Sequence, residues 1–341
     1  MSYSELTKPM QAALVADMKE VLQAGIHPPI DQLHGMMQYH MGWLDEALQP
    51  DHAAAGKQIR PLLLMLCAQA AGGDWTQAIP AASAIELTHN FSLIHDDIED
   101  DSPTRRGRKT LWTIFGIPLA INAGDGMFAA ARVALGRLED RGVPAQTIVQ
   151  AFRRFDATCL RLTQGQDLDM SFETRQNVTV DQYVNMITGK TSVLISLCAE
   201  LGALIGGQKA DQVAHYEQYG LNLGLAFQVL DDILGIWGDE TEIGKSATTD
   251  ISTRKKTLPV LFGLEKNEKL QKIYFDESIP EAEFVPEVVS LLDACGAQEY
   301  ANQRAADYSN LALSHLEEAQ PAGEAGQAIQ ELTHLLLRRK S

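Results

Sequence analysis

The chain has 341 residues, 45% of them hydrophobic and 21% charged, with a formal net charge of −17. That balance describes an ordinary folded domain and argues against a nucleic-acid binder, which is more often basic. It also means that an anionic substrate would need local cations or metal ions to be accepted. Four widely spaced cysteines in apolar contexts do not make a disulfide framework and suit a reducing compartment.

Taken in chain order, the hydrophobic period is helical almost throughout. The opening "MSYSELTKPMQAALVADMKE" reads as an amphipathic helix rather than a signal peptide. Further helices are expected at roughly 30–48, 57–72, 77–100, 110–138, 145–169, 180–206 and 210–237, after a first one at 5–24 and before several shorter ones ending near 339. "RGVP" (141–144) stops one helix and opens the next, and Thr179 with Gln182 has the pattern of a capping box. No segment alternates with period two. No window approaches the ~20 apolar residues of a membrane span, so the expected location is the cytoplasm. The expectation is a single all-α domain over residues 1–341 with one long polar loop, Gly238 to Thr257.

Two places break the apolar pattern in the same way. "LIHDDIEDDSPTRRG" (93–107) puts five carboxylates in six positions at the end of an apolar helix and follows them with Arg105 and Arg106. "LGLAFQVLDDILG" ends another apolar helix in Asp231 and Asp232, and a basic loop follows. Asp96 and Asp100 are four apart and share a helix face, where like charges repel unless a cation lies between them. Oxygen-only donors select a hard ion, Mg²⁺ or Mn²⁺. Mg²⁺ usually joins a few carboxylates to substrate phosphates, so two facing acidic helices suggest a bound diphosphate. Arginine forks suit the same anion. Lys57 and Arg60 in "AGKQIRP", Lys190 in "TGKT", and Lys245, Lys255 and Lys256 in the long loop add further cations.

These motifs, in this order from about Gly56 to Pro259, resemble the all-trans polyprenyl diphosphate synthases. "HNFSLIHDDIED" with "RRGRKT" resembles that family's first aspartate-rich motif and its sequel. "FQVLDD", "GDETEIGK" and "DISTRKKT" resemble the second motif and its lysine loop. The resemblance implies the isoprenoid synthase fold, a helical bundle with a central cavity. It implies Mg²⁺-assisted ionisation of an allylic diphosphate (dimethylallyl, geranyl or farnesyl), attack by the double bond of isopentenyl diphosphate, and loss of a proton. Matched by motif, Asp96, Asp100 and Asp231 are the expected metal ligands, supported by Asp97 and Asp232. Lys57, Arg60, His89 and Arg106 are expected at isopentenyl diphosphate. Arg105, Lys190, Thr191, Gln228, Lys245 and Lys255 are expected at or beside the allylic diphosphate. A homodimer is also implied, with the apolar stretch 110–138 as its interface. The chain departs from the family where the second motif reads "DDILG", with Gly235 in place of a third aspartate.

In such enzymes the residues four and five before the first motif set product length. Here they are Ser92 and Phe91, a pattern that resembles the geranylgeranyl type, with a farnesyl or longer product as the alternative. A terpene cyclase would have no use for an isopentenyl diphosphate site. A different chemistry is suggested by "ELTH", which occurs at Glu86–His89 and again at Glu331–His334, since Glu-x-x-His pairs on bundle helices can hold two irons. That reading leaves the arginines and aspartate runs unexplained.

Overall fold

The computed structural model describes residues 3–23, 31–51, 56–238 and 249–337. Lys245 lies outside the described residues. The chain forms two compact units. One comprises Met1–Phe152, Leu201–Lys209 and Ala322–Ala328, the other Arg153–Glu200, Ala210–Pro321 and Ile329–Ser341.

The first unit is built on α1 (Tyr3–Gln23), α2 (Gln32–His40), α3 (Ile59–Ala70), α4 (Ile79–Glu99), α5 (Leu111–Phe115) and α6 (Ile117–Gly136). α4 is its central element. Every residue from Ile79 to Thr88 is buried, against α3 and α1 on one side and along the length of α6 on another. A helix apolar on all sides is stable only when enclosed, and the polar members of this run have partners. Ser83 donates to the buried Asp17 at 2.7 Å, and Arg137 reaches the other oxygen of Asp17 at 3.1 Å. The single helix expected over 110–138 is divided, because Gly116 takes φ 83° and the helix restarts at Ile117–Pro118.

Between α4 and α5 the chain makes a small hairpin, β1 (Thr104–Arg105) with β2 (Arg108–Lys109). Its turn residues Arg106 and Gly107 have φ 52° and 75°, the two left-handed residues of a tight hairpin turn. Strands this short leave no alternation to read. The hairpin is clamped to the end of α2. Arg108 stacks on the Tyr39 ring at 4.1 Å and donates to the carbonyls of Tyr39 and Leu44, while the Tyr39 hydroxyl donates to the Lys109 carbonyl at 2.8 Å.

α7 (Ala145–Thr174) leads into the second unit, followed by α8 (Val180–Ile187), a π-helical turn (Thr188–Ser192), α9 (Val193–Ile205) and α10 (Ala210–Trp237). Then come α11 (Thr249–Ser252), α12 (Leu258–Lys266), α13 (Glu268–Tyr274), α14 (Glu281–Ala294), α15 (Ala297–Ala319) and α16 (Gly323–Leu337). The expected capping box opens α8, with both reciprocal hydrogen bonds between Thr179 and Gln182 formed. α10 and α15 pack along their lengths, and Tyr183, Val229, Ile233, Leu258 and Phe284 belong to the core of this unit. The π turn interrupts the helix expected over 180–206 where it meets α7 backbone to backbone. A Cβ on Gly165 would lie 2.2 Å from the Lys190 nitrogen, and one on Gly189 would lie 2.9 Å from the Arg161 carbonyl. Such turns are rare and concentrate at functional positions.

Contrary to the sequence-based expectation, one run among the described residues, Val180–Ile205, is long and apolar enough to cross a bilayer. It is a core element here, with 67% of its apolar window buried within the protein. None of the four cysteines is in a disulfide, and three of them are buried.

Glu200 on α9 is mostly buried beside Arg154, whose Nε lies 3.0 Å away, and burial pushes its carboxyl up to about 7. A carboxyl whose pKa is raised by folding holds its proton more tightly in the folded state. Its contribution is therefore favourable below the unfolded value of 4.5 and is lost as pH rises towards 7. Glu200→Gln is expected to flatten the fall in stability across that window, as measured by chemical denaturation at a series of pH values.

Candidate active site

In the first unit the C-terminal turn of α4 presents the first acidic run. Successive helical residues point about 100° apart, so neighbouring aspartates face different ways. Asp97 is buried, Asp96 is half-buried and Asp100 is exposed at the helix end. Burial raises the Asp97 carboxyl, and Arg105 opposes that shift by donating from Nε to Asp97 at 2.7 Å. The β-hairpin makes this pairing possible by folding the arginines back over α4. Its strained turn also sets Arg106, whose guanidinium covers Gly56 so closely that a Cβ there would be 2.7 Å from Nη2.

Arg60, on the first turn of α3, lies 3.4 Å from His89 Nε2 on α4. Desolvation, reinforced by Arg60, Arg106 and Arg105, holds His89 well below the ordinary imidazole value, so it is neutral at pH 7. His40 is pushed down to about 3 by burial and by Arg106, Arg105 and Arg108. Glu86 is the buried acid beside Arg60 and Arg106. Burial raises its carboxyl, and Arg60, Asn90 and Arg106 pull the other way; Asn90 donates to it at 3.2 Å. A pocket bounded by His40, Asp97, Arg105 and Arg106 opens between the hairpin and α2. Lys57, one residue past Gly56, is exposed. The expected cations Arg60, Arg105 and Arg106 thus surround neutral histidines, an arrangement suited to an anion.

One turn back along α4, the Phe91 ring packs on Phe128 of α6 and edge-on to His95, with centroids 5.0 and 5.2 Å apart. Ser92 donates to the His89 carbonyl at 2.8 Å.

In the second unit α10 presents the second acidic run with the same division. Asp231 is exposed and Asp232 is buried. Burial pushes Asp232 up to about 7 despite hydrogen bonds from the Tyr183 hydroxyl, Gln228 and the Leu258 backbone. Gln228 also accepts from Thr191 at 2.9 Å, and Lys190 pairs with Asp169 at 2.5 Å. The π turn therefore places Lys190 and Thr191 in adjoining polar contacts on α7 and α10. The two loop lysines differ. Lys256 caps the end of α7, donating to the Phe172 and Glu173 carbonyls at 2.7 and 3.0 Å. Lys255 faces the acids. Burial disfavours its charge, but Asp250, Asp232, Asp169 and Asp231 together hold its pKa above the ordinary lysine value.

Sequence reasoning did not single out His40, Asp169, Tyr183 or Asp250; the first three are distant in sequence from the motifs they adjoin, whereas Asp250 opens the "DISTRKKT" segment itself. Glu86 was visible only as half of a Glu-x-x-His pair. The second copy of that pair is not built as a metal site, since Glu331 and His334 are exposed and the buried Thr333 bonds to Tyr219 at 2.7 Å.

Among the described residues no three His, Cys, Asp or Glu side chains cluster as a protein-only metal cage. The donor set still fits Mg²⁺. It is made of carboxylate oxygens, and Mg²⁺ characteristically takes one or two of these, with waters and substrate phosphates completing its shell. Within the first unit Asp96 and Asp100 share a face of α4 at a spacing that suits that role; within the second, Asp231 stands exposed on α10.

Residues 41–292 match the polyprenyl synthetase family. The chain is 37% identical to a geranylgeranyl diphosphate synthase of Mycobacterium tuberculosis, over 93% of this chain and 90% of that one. It is 34% identical to a (2E,6E)-farnesyl diphosphate synthase of Mycobacterium bovis, over 90% of this chain and 86% of that one. The crystal structure of a geranylgeranyl pyrophosphate synthetase from Pyrococcus horikoshii superposes with a TM-score of 0.86 at 31% identity, covering 99% of this chain and 98% of the other. The fold is therefore the all-α isoprenoid synthase type, and the protein is a trans-prenyltransferase. It belongs to the polyprenyl synthetase family, on the side of the geranylgeranyl diphosphate synthases.

Arg106 separates anion binding from backbone strain. Arg106→Ala is expected to weaken binding of inorganic diphosphate by about tenfold or more, the usual loss for a charge-assisted pair. Arg106→Gly should bind equally poorly but be more stable by about 1 kcal/mol, because glycine relaxes the left-handed turn. Calorimetry and thermal unfolding of the two variants would check both parts.

Proposed function

We propose that the protein condenses isopentenyl diphosphate with an allylic diphosphate to make all-trans geranylgeranyl diphosphate. The observation that carries this reading is the placement of Arg60 beside neutral His89, with Arg106 folded back on the hairpin over Gly56, next to the acidic end of α4. A cyclase, which binds a single diphosphate, would not need that second anion site. Arg60, Arg106, His89 and Lys57 hold the diphosphate of isopentenyl diphosphate. Arg105, Lys190, Gln228 and Lys255 hold the allylic diphosphate, with Thr191 orienting Gln228 and Lys245 contributing from the loop. Asp96, Asp100 and Asp231 bind Mg²⁺, which supplies charge stabilisation on the departing diphosphate. Asp97 and Asp232 keep Arg105 and Gln228 in position. The apolar wall of α4 excludes water from the allylic cation until the double bond of isopentenyl diphosphate attacks it. A proton is then lost to re-form the alkene.

Phe91 supports the twenty-carbon assignment. It is an aromatic five residues before Asp96, buttressed by Phe128, with only the small Ser92 beside it. The farnesyl-forming relative supports a shorter product as the second reading. The test is to supply isopentenyl diphosphate and Mg²⁺ with dimethylallyl, geranyl or farnesyl diphosphate in turn and to size the dephosphorylated products. A geranylgeranyl product, lengthened in Phe91→Ala and abolished in Asp96→Ala, is expected. A farnesyl product would transfer the chain to the second reading, and a cyclic hydrocarbon formed without isopentenyl diphosphate would overturn the synthase.

The working unit in this proposal is a cytoplasmic homodimer. α6 leaves Ile117, Ile121 and Val133 exposed by 40% or more, and Val149 nearby on α7 is 51% exposed. Single exposed apolar residues are common, but a set concentrated on neighbouring elements marks an interface. Light scattering after size-exclusion chromatography should give twice the 37.4 kDa chain mass, and Ile121→Glu should shift it towards the monomer.

A further inference from the structure

The antiparallel pair α10 and α15 brings together two histidines that neither acidic run uses. His215 stands in the second turn of α10 and His315 near the end of α15, both in the second unit. Both rings are half-buried. Their Nδ1 atoms are 3.3 Å apart, with ring centroids at 5.6 Å and planes inclined by 42°. The rings therefore meet through these nitrogens and do not stack. That separation is long for a hydrogen bond. It suits a shared ion, because two nitrogens each about 2.0–2.1 Å from a tetrahedral zinc lie ~3.3–3.4 Å apart.

The backbone behind both rings is held in place. Val213 and Tyr216 beside His215 are buried, as are Ala312 and Leu316 beside His315. At the same end of the helix pair the Gln212 amide nitrogen donates to the Glu318 and Ala319 carbonyls, each at 3.0 Å. Two donors on packed helices thus meet at a fixed spacing, as chelation requires. The surroundings favour a cation. Asp211, four residues before His215, and Glu318, three after His315, are exposed carboxylates on the faces that carry the histidines. α10 contains no lysine or arginine, and the one arginine of α15, Arg304, is about three turns from His315. The C-terminal end of α15 adds the partial negative charge of its carbonyls.

We propose that His215 and His315 form a site for one Zn²⁺-class transition-metal ion, which clamps α10 to α15. Imidazole nitrogen suits Zn²⁺, Cu²⁺ and Ni²⁺, whereas Mg²⁺ is bound through oxygen. No third His, Cys, Asp or Glu among the described residues stands with the pair. Water, or Asp211 or Glu318 in another rotamer, completes the shell. Binding requires both rings to carry their protons on Nε2 and to offer Nδ1. The site is sixteen residues from Asp231, about 24 Å along α10, and stands independently of the prenyltransferase reading.

The experiment titrates the full chain with Zn²⁺ by isothermal calorimetry in millimolar Mg²⁺, so that the acidic runs meet the harder ion in excess. Thermal unfolding is recorded with and without Zn²⁺, and circular dichroism confirms that each variant is folded. The wild type should bind one Zn²⁺ per chain and unfold at a higher temperature with it, as a ligand of the folded state requires. His215→Ala and His315→Ala should each weaken Zn²⁺ binding by about tenfold or more, since loss of even an outer partner of a metal ligand does as much. Each should also lose the rise in unfolding temperature. The double variant should be no weaker than either single one, because the two rings act as a unit. His334→Ala, which removes an exposed histidine on α16, should bind like the wild type. Zn²⁺ bound equally by the wild type and the double variant would be adventitious and would overturn the proposal. So would folded single variants that bind as the wild type does, or a His334→Ala variant as weak as His315→Ala.

Discussion

A carboxylate at the inner end of an apolar helix must be partnered or must reach water, because burying an unpaired charge costs far more than a marginally stable fold can absorb. This constraint organises both acidic runs. Adjacent aspartates on a helix cannot face the same way. In each run one member turns inward and is held by protein groups. Asp97 takes Arg105, while Asp232 takes Tyr183, Gln228 and the Leu258 backbone. The other member, Asp96 or Asp231, is left nearer the solvent. The inward aspartates thus set where the neighbouring cation or amide points.

The cations are sorted by the same principle. Arg108 is committed to two backbone carbonyls and the Tyr39 ring, and Lys256 to the end of α7. Both hold elements together. Arg60 and Arg106 instead face the buried carboxyl of Glu86, and Lys255 faces four carboxylates. Charges balanced in this way are stable without substrate yet can still meet an anion. A protein of net charge −17 can therefore bind polyanions without a basic surface.

Much of the scaffold was legible in the sequence. The apolar period gave 210–237 for the helix observed as Ala210–Trp237, and the Thr179–Gln182 box forms as its residue types require. The errors have physical causes. Periodicity averages over a window, so one left-handed glycine at 116 and one π turn at 188–192 passed unseen within apolar runs. Counting apolar residues also failed at Val180–Ile205, where Lys190 interrupts a run that is otherwise long enough to span a bilayer. The acidic and basic motifs named the chemistry of the site. They could not show that Arg105 is turned onto Asp97, because that depends on two left-handed residues in a hairpin too short to have a pattern. Nor could they place Asp250 against Gly235, since nothing local to either residue encodes a contact between positions so far apart in the chain.

The absence of a ready-made metal cage among the described residues follows from what such a site would have to do. A cage that bound Mg²⁺ tightly on its own would have to crowd three or more carboxylates, whose mutual repulsion would raise their pKa values and strain the helix ends. Mg²⁺ also gives up its waters reluctantly and prefers to share its shell with phosphate. A site with few outward carboxylates and balanced cations avoids that repulsion while empty. In the proposed function a diphosphate would bring the remaining oxygens. Metal and substrate affinity would then be linked, each raising the other by the same factor. In the proposed function the second acidic motif, with Gly235 where another carboxylate could stand, would lean on substrate oxygens to complete the metal's shell.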